Sequence, residues 1–176
     1  MKNKTITIFG SSLPKPGEKE YEDAYFIGSE LAKKGFNVCT GGFQGTMDAA
    51  SKGAKENGKE AIGITVPLFN SKPSEHLTKE IQCDTLSQRL NKLIEYGEGF
   101  VILPGGTGTL LEISLVWESF NKNLIPEKPV ACLGEMWSSI VAPMEKRVKF
   151  EKRKENLVMC YNNVDEIVDF ISKNVK

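Results

Sequence analysis

The sequence predicts an α/β domain, a mostly parallel central sheet with helices on both faces. Short apolar runs alternate with segments of helical period along the whole chain, and no internal repeat or low-complexity stretch interrupts them. Phe100-Val101-Ile102-Leu103 is apolar at every position, the pattern of a parallel strand buried on both faces. At 176 residues the chain has room for one generous domain and none for a second.

Thr5-Ile6-Thr7-Ile8-Phe9 reads as the first strand, closed by Gly10-Ser11-Ser12. Tyr21, Ala24, Tyr25, Gly28, Leu31 and Ala32 recur at helical spacing, with Lys33-Lys34-Gly35 as the stop signal. Phe36 to Thr40 is the second strand, Gly41-Gly42-Phe43-Gln44-Gly45 the turn after it, and Met47 to Asn57 a helix ended by Gly58. Ala61 to Val66 forms a third strand, stopped by Pro67. Residues 68–79 are polar and are expected to form a loop or flap, and Ile81-Gln82-Cys83 a short strand. Leu86, Leu90, Leu93 and Ile94 mark a helix, and the run at 100–103 follows it. Pro104-Gly105-Gly106-Thr107-Gly108 breaks that run before a helix from Thr109 to Asn121. A strand at Pro129–Leu133, a helix from Trp137 to Lys149, a strand at Leu157–Tyr161 and an amphipathic helix over Val164–Ile171 complete the chain. Repeated strand-helix alternation implies right-handed crossovers and a Rossmann-like three-layer sandwich over residues 1–176.

Composition excludes several functions. Hydrophobic residues make up 40% and charged residues 26%, ordinary for a globular domain, and a chain of this size buries roughly 70% of its unfolded surface without disulfide or metal. Lys and Arg (23) balance Asp and Glu (23), which removes the footprint of a nucleic-acid or membrane-surface binder. No apolar run approaches the ~20 residues of a membrane span. Met1 to Lys4 lead straight into a strand with no signal sequence, so the expected address is the cytoplasm. Cys39, Cys83, Cys132 and Cys160 are scattered, without C-x-x-C or a histidine pair, so no metal site is expected. His76 is the only histidine and is expected in a surface loop, which leaves Ser-His-Asp catalysis without its parts.

The glycines concentrate in three strand-to-helix loops: Gly10-Ser11-Ser12, Gly41-Gly42-x-x-Gly45-Thr46-Met47, and Pro104-Gly105-Gly106-Thr107-Gly108-Thr109. In a parallel sheet all three fall on the carboxyl edge, where ligands bind. Glycine lets backbone N–H groups turn toward a ligand, and each loop opens a helix whose positive end favours an anion. The three together read as a phosphate cradle. No loop carries G-x-x-x-x-G-K-[ST], which argues against a P-loop ATPase. The first lacks G-x-G-x-x-G, which argues against a dinucleotide, so a mononucleotide is the expected ligand, with no cofactor. Two charged residues adjoin the loops. Glu112 has two readings: a carboxylate at the ligand edge, or the far half of a Thr109-x-x-Glu112 capping box. Arg89 also has two: it snorkels from the flank of its helix, or it grips a phosphate.

Pro104-Gly105-Gly106-Thr107-Gly108-Thr109-Leu110-Leu111-Glu112 resembles the PGGxGTxxE signature of the Lonely Guy family, phosphoribohydrolases that activate cytokinins and are often mislabelled as lysine decarboxylases. Phe9-Gly10-Ser11-Ser12 is similar to the family's first loop, Gly41-Gly42-x-x-Gly45-x-Met47 to its second, and Leu86-Ser87-Gln88-Arg89-Leu90 to its M-H-x-R-K segment. The resemblance implies hydrolysis of the N-glycosidic bond of a nucleoside 5′-monophosphate, AMP or N6-substituted AMP, with Arg89 and Glu112 as the essential pair. It also implies a homodimer through the 109–121 helix, which is apolar nearly all round. Ser87, Leu90 and Leu111 stand where the family has His, Lys and Glu. Because the superfamily includes molybdenum-cofactor carriers, the alternative is a protein that binds a nucleotide or cofactor without turning it over. Decarboxylation of lysine is excluded, since no lysine lies in a pyridoxal-phosphate setting and 176 residues cannot hold the usual fold for that cofactor.

Overall fold

In the computed structural model residues 4–175 are described, so Met1–Asn3 and Lys176 lie outside the described residues. Seven strands form one sheet: β1 (Thr5–Phe9), β2 (Asn37–Thr40), β3 (Ala61–Thr65), β4 (Lys79–Gln82), β5 (Gly99–Ile102), β6 (Val130–Leu133) and β7 (Met159–Tyr161). Their spatial order is β4-β3-β2-β1-β5-β6-β7, and every pairing is parallel. The helices between them are α1 (Lys19–Lys33), α2 (Thr46–Glu56), α3 (Leu86–Tyr96), α4 (Thr107–Asn121), α5 (Glu135–Phe150) and α6 (Val164–Asn174). The expected three-layer α/β fold is borne out.

Alternate residues of the strands feed two cores, one on each face. Ile6, Ile8, Val38 and Val101 pack with Ile27, Leu31, Ala50 and Ile167 beneath α1, α2 and α6. Phe9, Ile64, Phe100 and Ile102 pack with Leu93, Val116, Trp117, Phe120 and Trp137 beneath α3, α4 and α5. The inner strands are buried at every position, and β5 and β6 read as nearly continuous apolar runs, whereas β1 and β2 also bury Thr5, Thr7, Asn37 and Thr40. At the sheet margin β4 is mostly exposed and carries Lys79 and Glu80, charges that discourage pairing with another chain.

The sequence reading departs from the structure at several boundaries. The 68–79 loop contains part of a 3-10 turn at Pro67–Phe69 and the first residue of β4, which spans Lys79–Gln82 rather than 81–83. Leu157 and Val158 are buried but precede β7, whose pairing with β6 covers only Met159–Tyr161. α4 begins two residues early, at Thr107. Glycines read as a break in the pattern, but Gly108 lies inside the first turn.

Candidate functional site

From β1 the chain winds outward through β2, β3 and β4, then returns to lay β5 on the other side of β1. Connections from β1 and β5 therefore leave toward opposite faces, and a crevice opens at their carboxyl ends. A cleft of about 570 Å³ lies there. Gly10, Ser11 and Ser12 from the first loop stand in its wall, with Gly41 and Met47 from the second and Gly106, Thr107, Gly108 and Thr109 from the third. Gly42, Gly45, Thr46, Pro104 and Gly105 stand outside that lining.

The second loop buttresses the first. Thr46 donates both its backbone N–H (2.9 Å) and its hydroxyl (3.0 Å) to the carbonyl of Ser11. Gly45 has φ +69°, and a Cβ there would overlap that same carbonyl, so only glycine allows the two loops to touch. The third loop is open instead. Gly106 caps α4 without a side-chain bond, and the first intrahelical bond runs from Leu110 N–H to Gly106 O at 3.0 Å. The amides of Thr107, Gly108 and Thr109 therefore have no acceptor within the helix, and a Cβ on Gly106 or Gly108 would meet only open space. Such a helix end suits a phosphate. Thr109 is the third residue of α4, so the Thr109–Glu112 capping box does not form.

Arg89 and Glu112 meet in the cleft from α3 and α4. Arg89 is buried, its Nε donates to Ile64 O at 2.9 Å, and Nη1 lies 3.5 Å from Glu112 Oε1. Its Cζ sits 5.9 Å from the Phe43 ring and 5.5 Å from the Phe69 ring. Snorkelling is thereby excluded, since the guanidinium points inward. Burial pushes the Glu112 carboxyl up to about 7, with the Arg89 charge pulling against it. Burial likewise lowers the Arg89 guanidinium, which Glu112 partly restores. At 3.5 Å the pair is an ionic contact rather than a short hydrogen bond, too weak to repay the loss of water around the carboxylate.

The cleft changes character along its length. Beside β1 and β5 it is glycine, serine and threonine, whereas toward β2 and α3 it presents Phe43, Phe69, Leu86 and Leu90, with Leu111 from α4. The glycine-rich motifs do not point to Phe43 and Phe69 as lining residues, and the signal in the sequence for Phe69 is an aromatic inside a polar stretch. His76 does not line the cleft, and its Nε2 lies 4.0 Å from Asp48 Oδ2. Cys39 is buried in β2, where burial pushes its thiol up to about 12 and makes it a poor nucleophile.

The SLOG cluster4 family model matches residues 3–168. A pyrimidine/purine nucleotide 5′-monophosphate nucleosidase of Escherichia coli is 33% identical over 105 residues, which cover 54% of this chain and only 23% of that protein. A cytokinin riboside 5′-monophosphate phosphoribohydrolase of Rhodococcoides fascians is 28% identical over 138 residues, 75% of this chain and 68% of that one. These relatives bear out the resemblance carried by the PGGxGTxxE signature. Among solved structures, the molybdenum cofactor binding protein of Rippkaea orientalis superposes with a TM-score of 0.77 at 24% identity, covering 98% of both chains. The molybdenum cofactor carrier protein of Chlamydomonas reinhardtii gives 0.77 at 22% identity, again over 98% of both. At such identities the two structures share the fold.

Proposed function

This chain belongs to the SLOG cluster4 family, and we propose that it hydrolyses the N-glycosidic bond of a nucleoside 5′-monophosphate, AMP or an N6-substituted AMP, releasing the base and ribose 5-phosphate. The observation that carries the proposal is the position of Glu112. It is a nearly buried carboxyl between an open helix N-terminus and an apolar wall. A nucleotide has the matching sequence of parts: phosphate, sugar, flat base.

In this reading the amides of Thr107–Thr109, with Ser11 and Ser12, hold the 5′-phosphate and so place the anomeric carbon near Glu112. Glycosidic cleavage builds positive charge on the sugar ring. The ionised Glu112 stabilises that charge and accepts a proton from the attacking water. The sugar keeps the hydroxyl and the departing base takes up the proton, so that water is split between the two products. Because its carboxyl titrates near 7, turnover should rise with pH through that value as the carboxylate forms. Arg89 stays protonated and donates hydrogen bonds, to the carboxylate or to the leaving base.

The test is direct. Purified protein is incubated with AMP and with N6-isopentenyl-AMP, and free base is followed by liquid chromatography. Release from either substrate is expected, falling by two orders of magnitude or more (~10²-fold) in Glu112→Gln and in Arg89→Ala, the usual scale for an acid-base group. Full turnover in both variants would sink the assignment. Leu90 and Leu111 favour a second reading, because they line the cleft with Glu112 as apolar side chains where the resemblance implies Lys and Glu. That reading is a binding or carrier protein. Nucleotide that raises Tm without any release of base would establish it.

A further inference from the structure

Asp48 does not line the cleft, yet two elements are tied to it. It is buried in the first turn of α2, one residue after Met47. Its Oδ2 accepts the hydroxyl proton of Tyr21 from α1 at 2.6 Å, and its Oδ1 accepts that of Ser74 at 2.6 Å. Ser74 is itself buried, its N–H donates to Gly42 O at 2.9 Å, and its hydroxyl accepts the N–H of His76 at 3.1 Å. Two residues back, the Gln44 side chain donates to Lys72 O at 3.1 Å. The strap from Lys72 to His76 is therefore fastened to α2 and to the loop that precedes it.

Phe69, at the end of the 3-10 turn and three residues before that strap, lines the cleft. Its ring is 46% exposed and stands edge-on to Phe43, with centroids 5.8 Å apart. Asn70, in the left-handed region with φ +44°, turns the chain directly after it, four residues before the fastening at Ser74. Of the polar groups nearby, Arg89 Nε is taken by Ile64 O and the Ser71 hydroxyl by Phe69 O at 3.0 Å, while the Arg89 Cζ stands 5.5 Å from the Phe69 ring centroid on one side. Beside that guanidinium this end of the cleft is lined by Phe43 and Phe69 with Leu86 and Leu90.

We propose that Asp48 is a positioning residue: through Ser74 it holds the strap so that Phe69, beside Phe43, offers a stacking face to the base of a bound nucleotide. The inference rests on the nucleotide reading above. A flat base stacks on an aromatic side chain whatever its hydrogen-bond pattern, and the adenine of the nucleotide proposed above fits such a face.

Ribose 5-phosphate separates the base subsite from the rest, since it keeps phosphate and sugar but has no base. Calorimetric titrations with AMP and with ribose 5-phosphate are made in the Glu112→Gln background, so that AMP is not consumed. Adding Ser74→Ala is expected to raise the AMP Kd about tenfold, the scale of a lost base stack, and leave the ribose 5-phosphate Kd within about twofold. Phe69→Ala gives the same signature, and combining it with Ser74→Ala weakens AMP no further. Ser74→Thr, which keeps the hydroxyl, restores AMP binding. Ser29→Ala removes a hydrogen bond with Asn57 away from the cleft and changes neither Kd, so a general loss of stability is not what is read. Equal weakening of both ligands by Ser74→Ala, or effects of Ser74→Ala and Phe69→Ala that multiply, would overturn the positioning role while leaving the nucleotide reading intact. Protein without either substitution that binds neither ligand would overturn both.

Discussion

Glu112 titrates some way above an ordinary carboxylate because burial deprives it of water and Arg89 answers with one contact at 3.5 Å. The folded protein keeps this proton up to about pH 7, whereas the unfolded chain releases it near 4.5. Between those values the native state binds more protons, so its stability falls as pH rises through the window. Below 4.5 both states are protonated and the contribution of this residue is complete. Glu112→Gln removes the titration. Its Tm relative to wild type should therefore climb from pH 5 to pH 8 by several degrees, at roughly 2–4 °C per kcal/mol for a chain of this size. Scanning calorimetry at the two pH values measures it, and a constant difference would mean that Glu112 ionises normally. Pattern alone left two readings for each partner, and the resemblance to PGGxGTxxE and M-H-x-R-K is what singled out Glu112 and Arg89 as a pair. Their contact was not legible in the sequence, because it joins α3 to α4 across 23 residues of chain, and neither periodicity nor spacing encodes that approach.

Elements meet at Gly41, where the end of β2 touches the guanidinium carried by α3. A Cβ at this position would overlap Arg89 Nη2 and crowd the sulfur of Met47. No left-handed backbone is involved, so the demand is steric alone. Gly41→Ala is expected to fold, because a flexible side chain rather than backbone must yield. Arg89 then swings away from Ile64 O and Glu112, and turnover drops by about 10²-fold, the usual consequence of misplacing a catalytic group by an ångström. Base release together with a melting curve tests this, and native turnover in the variant would show that Arg89 has freedom to spare. Most elements were legible because the inner strands are rich in β-branched and apolar residues between glycine-rich turns and the helices keep their 3.6 period. β4 was less so, since its exposed, charged residues give no core pattern. The start of α4 was displaced because Gly106-Thr107-Gly108 has the composition of a turn, while the helix accepts it for the sake of its open amides. Phe69 escaped because a 3-10 turn of three residues leaves no periodic trace.

For the whole molecule, α4 carries the open question of what covers the cleft. Ile113, Val116, Trp117 and Phe120 face the sheet and are buried. Leu110 and Leu111, one turn from the helix start, are 40% and 45% exposed, and Leu111 lines the cleft. Leu13, on the first loop and also lining the cleft, is 80% exposed. Water is a poor neighbour for apolar side chains beside one opening, and covering Leu110 and Leu111, each already more than half buried, gains about half of the 1.5–3 kcal/mol that a fully exposed leucine would. We propose that a second copy of the chain, seated on the 109–121 helix, covers them and narrows the mouth of both clefts. A two-fold contact places the same helix of each copy on the other, so one apolar stripe serves both sides. Size-exclusion chromatography with light scattering should return twice the 19.5 kDa chain mass. Leu110→Glu, which puts a charge on the stripe beside the cleft rather than in it, should return the single chain. If the pair closes the mouth, nucleotide affinity falls together with the dimer in Leu110→Glu and on dilution of the wild type. A wild-type monomer at micromolar concentration would overturn the assembly, and a monomeric Leu110→Glu with undiminished nucleotide affinity would leave the dimer but sever it from the site.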